Sequence, residues 1–303
     1  MFRLGTRGSE LALFQANFVK NVLESQASVS IQIQIIRTLG DQKTELPFHQ
    51  MNAQGVFTKE LEEALLSKKI DLAVHSLKDL ATESPKELMI GAIPTRAAVH
   101  DLLLVHPESL ESPENRQYPW IFKKNAIVGT SALRRASLLL SFRPDVQIKP
   151  IRGNVPTRLK KLETRECDAI LLAQAGIDRL QLDITPYETC PLNPTYFPSA
   201  PGQGALAIQI HRDNTGLAEL LKSIHDPQTA ELVLAERSFL ALFEGGCSLP
   251  LGAFAKKTSD GIQLYGFLEK NQKKILDHVI AETSESAAQQ LYEKFLTQLN
   301  SRL

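Results

Sequence analysis

One pattern constrains the chain above all others: short apolar or alternating runs, each followed by a helical one. Ser30 to Ile36 alternates with period two, and the helical stretch from Thr58 to Lys69 leads into the buried-strand pattern of Asp71 to Val74. Strand-like runs recur at Ala126 to Val128, Val146 to Ile151 and Ala169 to Ala173, each with a helical pattern behind it. Such alternation sandwiches strands between helices and predicts α/β lobes with largely parallel sheets over the first two-thirds of the chain. Ligand sites in such sheets lie in the loops at strand ends.

After His211-Arg212-Asp213-Asn214 the pattern changes. Asp226 is placed to cap a helix that has Pro227 at its first position, runs to about Phe243 and is ended by Gly245-Gly246. Strands around Leu251 to Lys256 and Ile262 to Leu268, a polar turn at Lys270-Asn271-Gln272, a return strand and a last helix from about Glu285 predict a small α+β domain. No internal repeat or low-complexity segment interrupts the 303 residues, a length that favours more than one domain. With 43% hydrophobic and 22% charged residues, disorder and collagen are excluded. No apolar stretch resembles a leader or a membrane span, so a soluble cytoplasmic protein is expected. Cys167, Cys190 and Cys247 form no CxxC pair, which fits a reducing compartment and speaks against zinc or a disulfide scaffold.

Lys and Arg balance Asp and Glu at 34 each, which argues against a surface made to coat nucleic acid or membrane, yet the balance hides a local excess. Lys123 to Arg165 carries eleven basic residues against Asp145 and Glu163, a net of +9. Lys123, Lys124, Lys160 and Lys161 read as solvated helix faces. The arginines read differently. Arg134 and Arg135 follow the strand-to-helix turn Gly129-Thr130-Ser131, and Arg158 follows Arg152-Gly153-Asn154 and Pro156 at a second helix entrance, where backbone N–H groups favour an anion. Arginine forks match carboxylates or phosphates. Phe142 is the one aromatic residue in the stretch and no G-x-x-x-x-G-K-[ST] loop occurs, so nucleic acid and nucleoside triphosphate fit poorly and a small organic polycarboxylate remains.

Three further residues could do chemistry. The strand Val74-His75 ends just before Lys78 and Asp79, and a carboxylate on that loop could accept ligand N–H groups and stabilise a developing cation. Spacing alone favours a plain surface Lys78–Asp79 pair and a structural His75. Cys247, in Glu244-Gly245-Gly246-Cys247-Ser248, sits on a glycine loop where a thiol can be exposed as a nucleophile or attachment point. Cys167 and Cys190 read as incidental.

In their order, these motifs carry a resemblance: Leu4-Gly5-Thr6-Arg7-Gly8-Ser9; Phe57-Thr58-Lys59-Glu60-Leu61-Glu62; Val74 to Asp79; Gly129-Thr130-Ser131 with Leu133-Arg134-Arg135; Arg152-Gly153-Asn154-Val155 with Thr157-Arg158; Pro201-Gly202-Gln203-Gly204; and Glu244 to Cys247. The chain resembles the porphobilinogen deaminases, or hydroxymethylbilane synthases. The resemblance implies two lobes like those of type II periplasmic binding proteins, residues 1–95 with 198–214 and residues 96–197, and an α+β third domain from 215 to 303. It implies a dipyrromethane cofactor on a thioether to Cys247, stepwise deamination and condensation of four porphobilinogens, and hydrolytic release of the linear tetrapyrrole for haem biosynthesis. By resemblance, Arg7, Ser9, Lys78, Ser131, Arg134, Arg135, Arg152, Gly153, Arg158 and Arg179 hold carboxylates of cofactor or substrate. Asp79 binds pyrrole N–H groups and steadies the azafulvenium cation, and Phe57 sits beside the incoming ring. A monomer that hands its product to uroporphyrinogen-III synthase is also implied.

The pattern departs from the family at Asn52-Ala53-Gln54-Gly55, where Gly-Gly-Lys-Gly is usual, and at Ala81, His100 and Ala132. Losing one charge-assisted contact of roughly 1.5–3 kcal/mol lowers ligand affinity about 10- to 100-fold. Two other readings stand beside the active enzyme: a weakened paralogue that still binds its cofactor, and a two-lobed solute-binding protein, against which Gly-Gly-Cys247 counts. A cysteine hydrolase fits less well, since no Cys-His-Asn set is readable from spacing.

Overall fold

The computed structural model describes residues 1–38, 58–243 and 249–301. The first sheet contains β1 (Phe2–Thr6), β2 (Ile31–Ile35), β3 (Leu72–Ser76), β4 (Leu88–Ala92) and β10 (Leu206–His211), in the order β2-β1-β3-β10-β4. Helices α1 (Glu10–Gln26) and α2 (Lys59–Leu66) cover it. The second contains β5 (Asp101–Val105), β6 (Ile127–Gly129), β7 (Gln147–Lys149), β8 (Ala169–Ala173) and β9 (Glu188–Leu192), in the order β7-β6-β8-β5-β9. Its helices are α3 (Leu133–Phe142), α4 (Val155–Glu163) and α5 (Gln174–Leu180).

The expectation of largely parallel sheets needs correction. In the first sheet β1 runs parallel to β2 and β3, but β10 is antiparallel to both β3 and β4. In the second, β6 is parallel to β7 and β8, while β5 is antiparallel to β8 and β9. The reversed strands are the two that follow a crossing between lobes, β5 on the way out and β10 on the way back. Apolar periodicity reports burial, not direction, so it cannot distinguish them.

Past β10, α6 (Thr215–Leu221) packs Leu217 and Leu221 into the first lobe's core, although it lies just beyond the expected boundary at residue 214. Helix α7 (Pro227–Ala241) begins at Asp226, whose carboxylate accepts from the N–H groups of Gln228 and Thr229 at 3.0 and 3.1 Å. It runs to Ala241 with Leu242 as a helical C-cap, close to the expected end, and Gly245-Gly246 lies outside the described residues. Strands β11 (Leu251–Thr258), β12 (Gly261–Lys270) and β13 (Lys273–Ala281) form an antiparallel sheet in sequence order, backed by α8 (Ser284–Asn300). Asn271 and Gln272 both adopt positive φ, 54° and 64°, as a two-residue hairpin turn of matching twist demands.

The third domain is anchored to both lobes. Phe267 of β12 is buried in the second lobe's core, and Val233 of α7 packs with Leu77, Leu80 and Ala205 of the first. The polar centre of this docking is Glu236 on α7, whose side chain is fully buried. Its carboxylate accepts from Arg96 Nη1 and Nη2 at 2.8 and 2.9 Å, Gly202 N at 2.7 Å and Ala255 N at 2.9 Å.

Within the first lobe, His75 Nε2 lies 3.1 Å from Gln209 Oε1, and Gln209 Nε2 donates to Glu62 Oε1 at 2.9 Å and Ser84 Oγ at 3.3 Å. The carbonyl oxygen can only accept, so the Nε2–H tautomer is the one that fits. Burial pushes the His75 imidazole down to about 4, against a smaller upward pull from Gln209.

Glu236→Gln removes the negative charge but not the shape. It leaves Arg96 uncompensated in a buried place, where breaking an ion pair costs about 3–5 kcal/mol; a clear drop in thermal midpoint is expected by calorimetry. His75 supplies a pH test. The unfolded imidazole takes up a proton below about 6.5 and the folded one only near 4, so its contribution is complete above 6.5 and is lost as pH falls towards 4. The parent midpoint is expected to fall more steeply across that window than that of His75→Asn, and equal slopes would refute the assignment.

Candidate active site

Lys78 and Asp79 owe their position to Leu77. This residue is fully buried, and its N–H donates to Ala205 O at 3.0 Å, pinning the short 3-10 turn Leu77–Asp79 at the end of β3. Gly202, at φ +75°, passes so close that a Cβ there would meet the Leu77 side chain at 3.0 Å. With Leu77 held inward, Asp79 is exposed at a cleft that also has Arg7, Ser9, Thr58, His75 and Ser76 in its walls. Ser9 caps α1 by accepting from Ala12 N at 3.3 Å, and Gln15 Nε2 donates to Ser76 Oγ at 2.9 Å.

Burial pushes the Lys78 ammonium down to about 8. Asp79 and Asp101 pull it up, and Arg135 and Arg134 push it down. Arg158, on α4 of the second lobe, is likewise pushed down to about 10, first by burial and then by Arg135, with Asp79 opposing. Asp79 of one lobe therefore lies within electrostatic reach of Arg158 on the other, and Lys78 within reach of Arg135. No hydrogen bond from Lys78 Nζ occurs among the described residues. Arg158 Nε donates to Gly153 O at 2.9 Å, where Gly153 holds a φ of +103° just before the Asn154 cap of α4.

Arg134 and Arg135 turn inward. Arg134 Nη1 donates to Asp101 Oδ2 at 2.7 Å and Pro198 O at 2.9 Å. Arg135 Nε and Nη2 donate to Asp101 Oδ1 at 3.0 and 2.8 Å, and Nη1 to Leu171 O at 3.2 Å. Two guanidinium groups hold the buried Asp101 carboxyl far below the ordinary carboxylate range, even against its own desolvation. One carboxylate against two arginines leaves a local net of +1. Sequence reasoning missed Asp101; the available signal was an acid opening the otherwise apolar run Asp101-Leu102-Leu103-Leu104-Val105. It also gave no role to Gln203, whose Nε2 donates to Asp101 Oδ1 at 3.0 Å and Val99 O at 2.8 Å.

Ser131 Oγ donates to Ile151 O at 2.5 Å, tying the entrance of α3 to the segment that bears the half-buried Arg152. Ala132, at the N-cap of α3, supplies no side-chain cap. Arg179, in the last turn of α5, donates to Gly204 O at 2.7 Å, and burial pushes its guanidinium down. Phe57 and Cys247 lie outside the described residues, as does Gln54. Cys167 and Cys190 are buried and free, with burial pushing both thiols up, Cys190 to about 11.

The donor set fits a ligand with several carboxylates. Lys78 and Arg158 are half-buried cations made less basic by burial and by the nearby Arg135, a strain that bound anions would relieve. Among the described residues no group of His, Cys, Asp or Glu is arranged to hold a metal ion, and no helix is long and apolar enough to cross a membrane.

Comparison with known proteins agrees with this chemistry. Residues 2–219 match the family model described as porphobilinogen deaminase, dipyromethane cofactor binding domain, and residues 230–299 match the porphobilinogen deaminase C-terminal domain. A porphobilinogen deaminase of Maridesulfovibrio salexigens is 42% identical over 266 residues, 88% of this chain and 83% of that protein. One from Clostridium novyi is 37% identical over 305 residues, 98% and 99% of the two chains. Among solved structures, an arginine-specific periplasmic binding protein of Salmonella typhimurium matches with a TM-score of 0.41 and 12% identity, over 76% of this chain and 93% of that one. With two consecutive family models covering most of its length, the chain belongs to the porphobilinogen deaminase family.

Proposed function

We propose that the cleft between the lobes is the catalytic centre at which this chain, a hydroxymethylbilane synthase, builds a linear tetrapyrrole from porphobilinogen in haem biosynthesis. One observation carries the assignment: the Lys78–Asp79 turn of the first lobe lies within electrostatic reach of Arg135 and Arg158 of the second, setting the Asp79 carboxylate against a local surplus of cations.

Porphobilinogen brings two carboxylates per ring, and the growing chain accumulates them. Arg7, Ser9, Arg152, Arg158 and Arg179 bind those of the substrate, by charge-assisted hydrogen bonds that fix ring orientation. Lys78, Ser131 and the Gly153 turn hold the cofactor's carboxylates, and Arg134 and Arg135, tied to Asp101, add a fixed positive field beside Lys78. When bound, the dipyrromethane cofactor supplies the pyrrole carbon from which the chain starts, anchored through the Cys247 sulfur. Asp79 accepts the pyrrole N–H. As the C–N bond of the aminomethyl group breaks and its electron pair leaves with ammonia, the Asp79 charge stabilises the cation left on the ring. Phe57, outside the described residues, keeps the role the family resemblance gives it, beside the incoming ring.

The division into residues 1–95 with 198–214, 96–197 and 215–303 remains our assignment of functional units. In it the chain works as a cytoplasmic monomer and releases its product to uroporphyrinogen-III synthase.

Asp79→Asn keeps the shape and removes the charge, so turnover with porphobilinogen is expected to fall by roughly 100-fold or more while the thermal midpoint holds. Near-normal turnover would remove Asp79 from the mechanism. Intact mass tests the anchor: the parent is expected to carry a dipyrromethane-sized increment that Cys247→Ser lacks, and an increment retained in the variant would exclude Cys247.

A further inference from the structure

Helix α7 of the third domain does more than dock. Its Arg237 reaches across the domain boundary to the turn that bears Lys78 and Asp79, and there it donates to the main chain. Arg237 Nη1 donates to Leu77 O at 3.1 Å and Leu80 O at 2.9 Å, and Nη2 donates to Ala81 O at 2.6 Å. Three carbonyls at the start and end of a single 3-10 turn thus converge on one guanidinium, whose planar fork suits such an arrangement better than an ammonium does. On the opposite side, Leu77 N is fixed by Ala205 O, and the apolar cluster of Leu77, Leu80, Ala205 and Val233 fills the space between. The turn is held from both sides while Asp79 stays exposed to the cleft.

We infer that Arg237 is a positioning residue for the reaction: the third domain uses it to fix the main chain of the Lys78–Asp79 turn, and so the place of the Asp79 carboxylate. The inference rests on the catalytic reading of that turn. Arg237 sits one residue after Glu236 on the same helix, so the contact that docks the domain and the contact that orients the turn are made together. Of the substrate-holding arginines, Arg152, Arg158 and Arg179 belong to the other lobe, and Arg7 follows β1, outside the turn that Arg237 holds. Loosening the turn should therefore misplace the reacting carboxylate and spare the grip on substrate carboxylates. Displacement by about 1 Å at a reacting centre costs on the order of 100-fold in rate.

The test is steady-state kinetics of the cofactor-loaded enzyme for Arg237→Gln, Asp79→Glu and the double variant. Arg237→Gln is expected to lower kcat about 10- to 100-fold with KM within about 3-fold of the parent. Adding it to Asp79→Glu, whose carboxylate is already displaced, should cost less than half as much on a logarithmic scale. Unchanged kcat in Arg237→Gln beside an impaired Asp79→Glu would overturn the clamp alone. A rise in KM at constant kcat, or full additivity in the double variant, would overturn it as well, leaving Arg237 a structural strut. Normal turnover in Asp79→Glu would instead sink the catalytic reading of the turn and the clamp with it. If Arg237→Gln does not accumulate as folded protein, Arg237→Lys takes its place in the same cycle, with a smaller loss in kcat of about 3- to 10-fold and the same constancy of KM.

Discussion

Two buried carboxylates, joined by one glutamine, tie the three parts of this molecule together. Asp101 opens the second lobe and Glu236 lies on the third domain's long helix, each facing arginine. Gln203, in the turn just before β10, donates its side-chain amide to Asp101 while its main-chain carbonyl accepts from Arg96 Nε at 2.8 Å, and Arg96 then forks onto Glu236. Every charge in this chain of contacts is desolvated, so each is tolerable only because the next is in place. The cleft inherits its geometry from that interdependence, since the turn carrying Asp79 and the arginines facing it hang from its two ends.

The arginine surplus of residues 123–165 therefore divides into two jobs. Arg134 and Arg135 satisfy Asp101 and project a residual positive field; Arg158, on α4, makes no such pair among the described residues and is desolvated and less basic for it. Neutral overall composition concealed both roles.

Much of the fold could be read from the chain. The Asp226-Pro227 helix start, the Asn271-Gln272 turn and the Ala169 to Ala173 strand are set by local chemistry, and local chemistry is what sequence displays. Strand direction was not legible, because β5 and β10 alternate no differently for running backwards. For the site, motif order brought out Asp79, Lys78 and the arginines, whereas residue type alone left Lys78 and Asp79 as a surface pair. Asp101, Gln203 and Arg237 stayed hidden for one reason: each acts on a partner at least 30 residues away, and nothing in the surrounding sequence announces a partner it has yet to meet.

The sheet order also bears on how the protein comes into being. In the first lobe β10, residues 206–211, is the strand wedged between β3 and β4. Until it leaves the ribosome those two strands have no common neighbour, and His75 waits for Gln209. The second lobe's sheet draws all its strands from residues 101–192 and can close earlier. Although domains generally mature from the amino terminus onward, here the lobe whose synthesis starts first is the one whose sheet receives its last strand later, and that sheet lacks its middle link until residues 206–211 emerge.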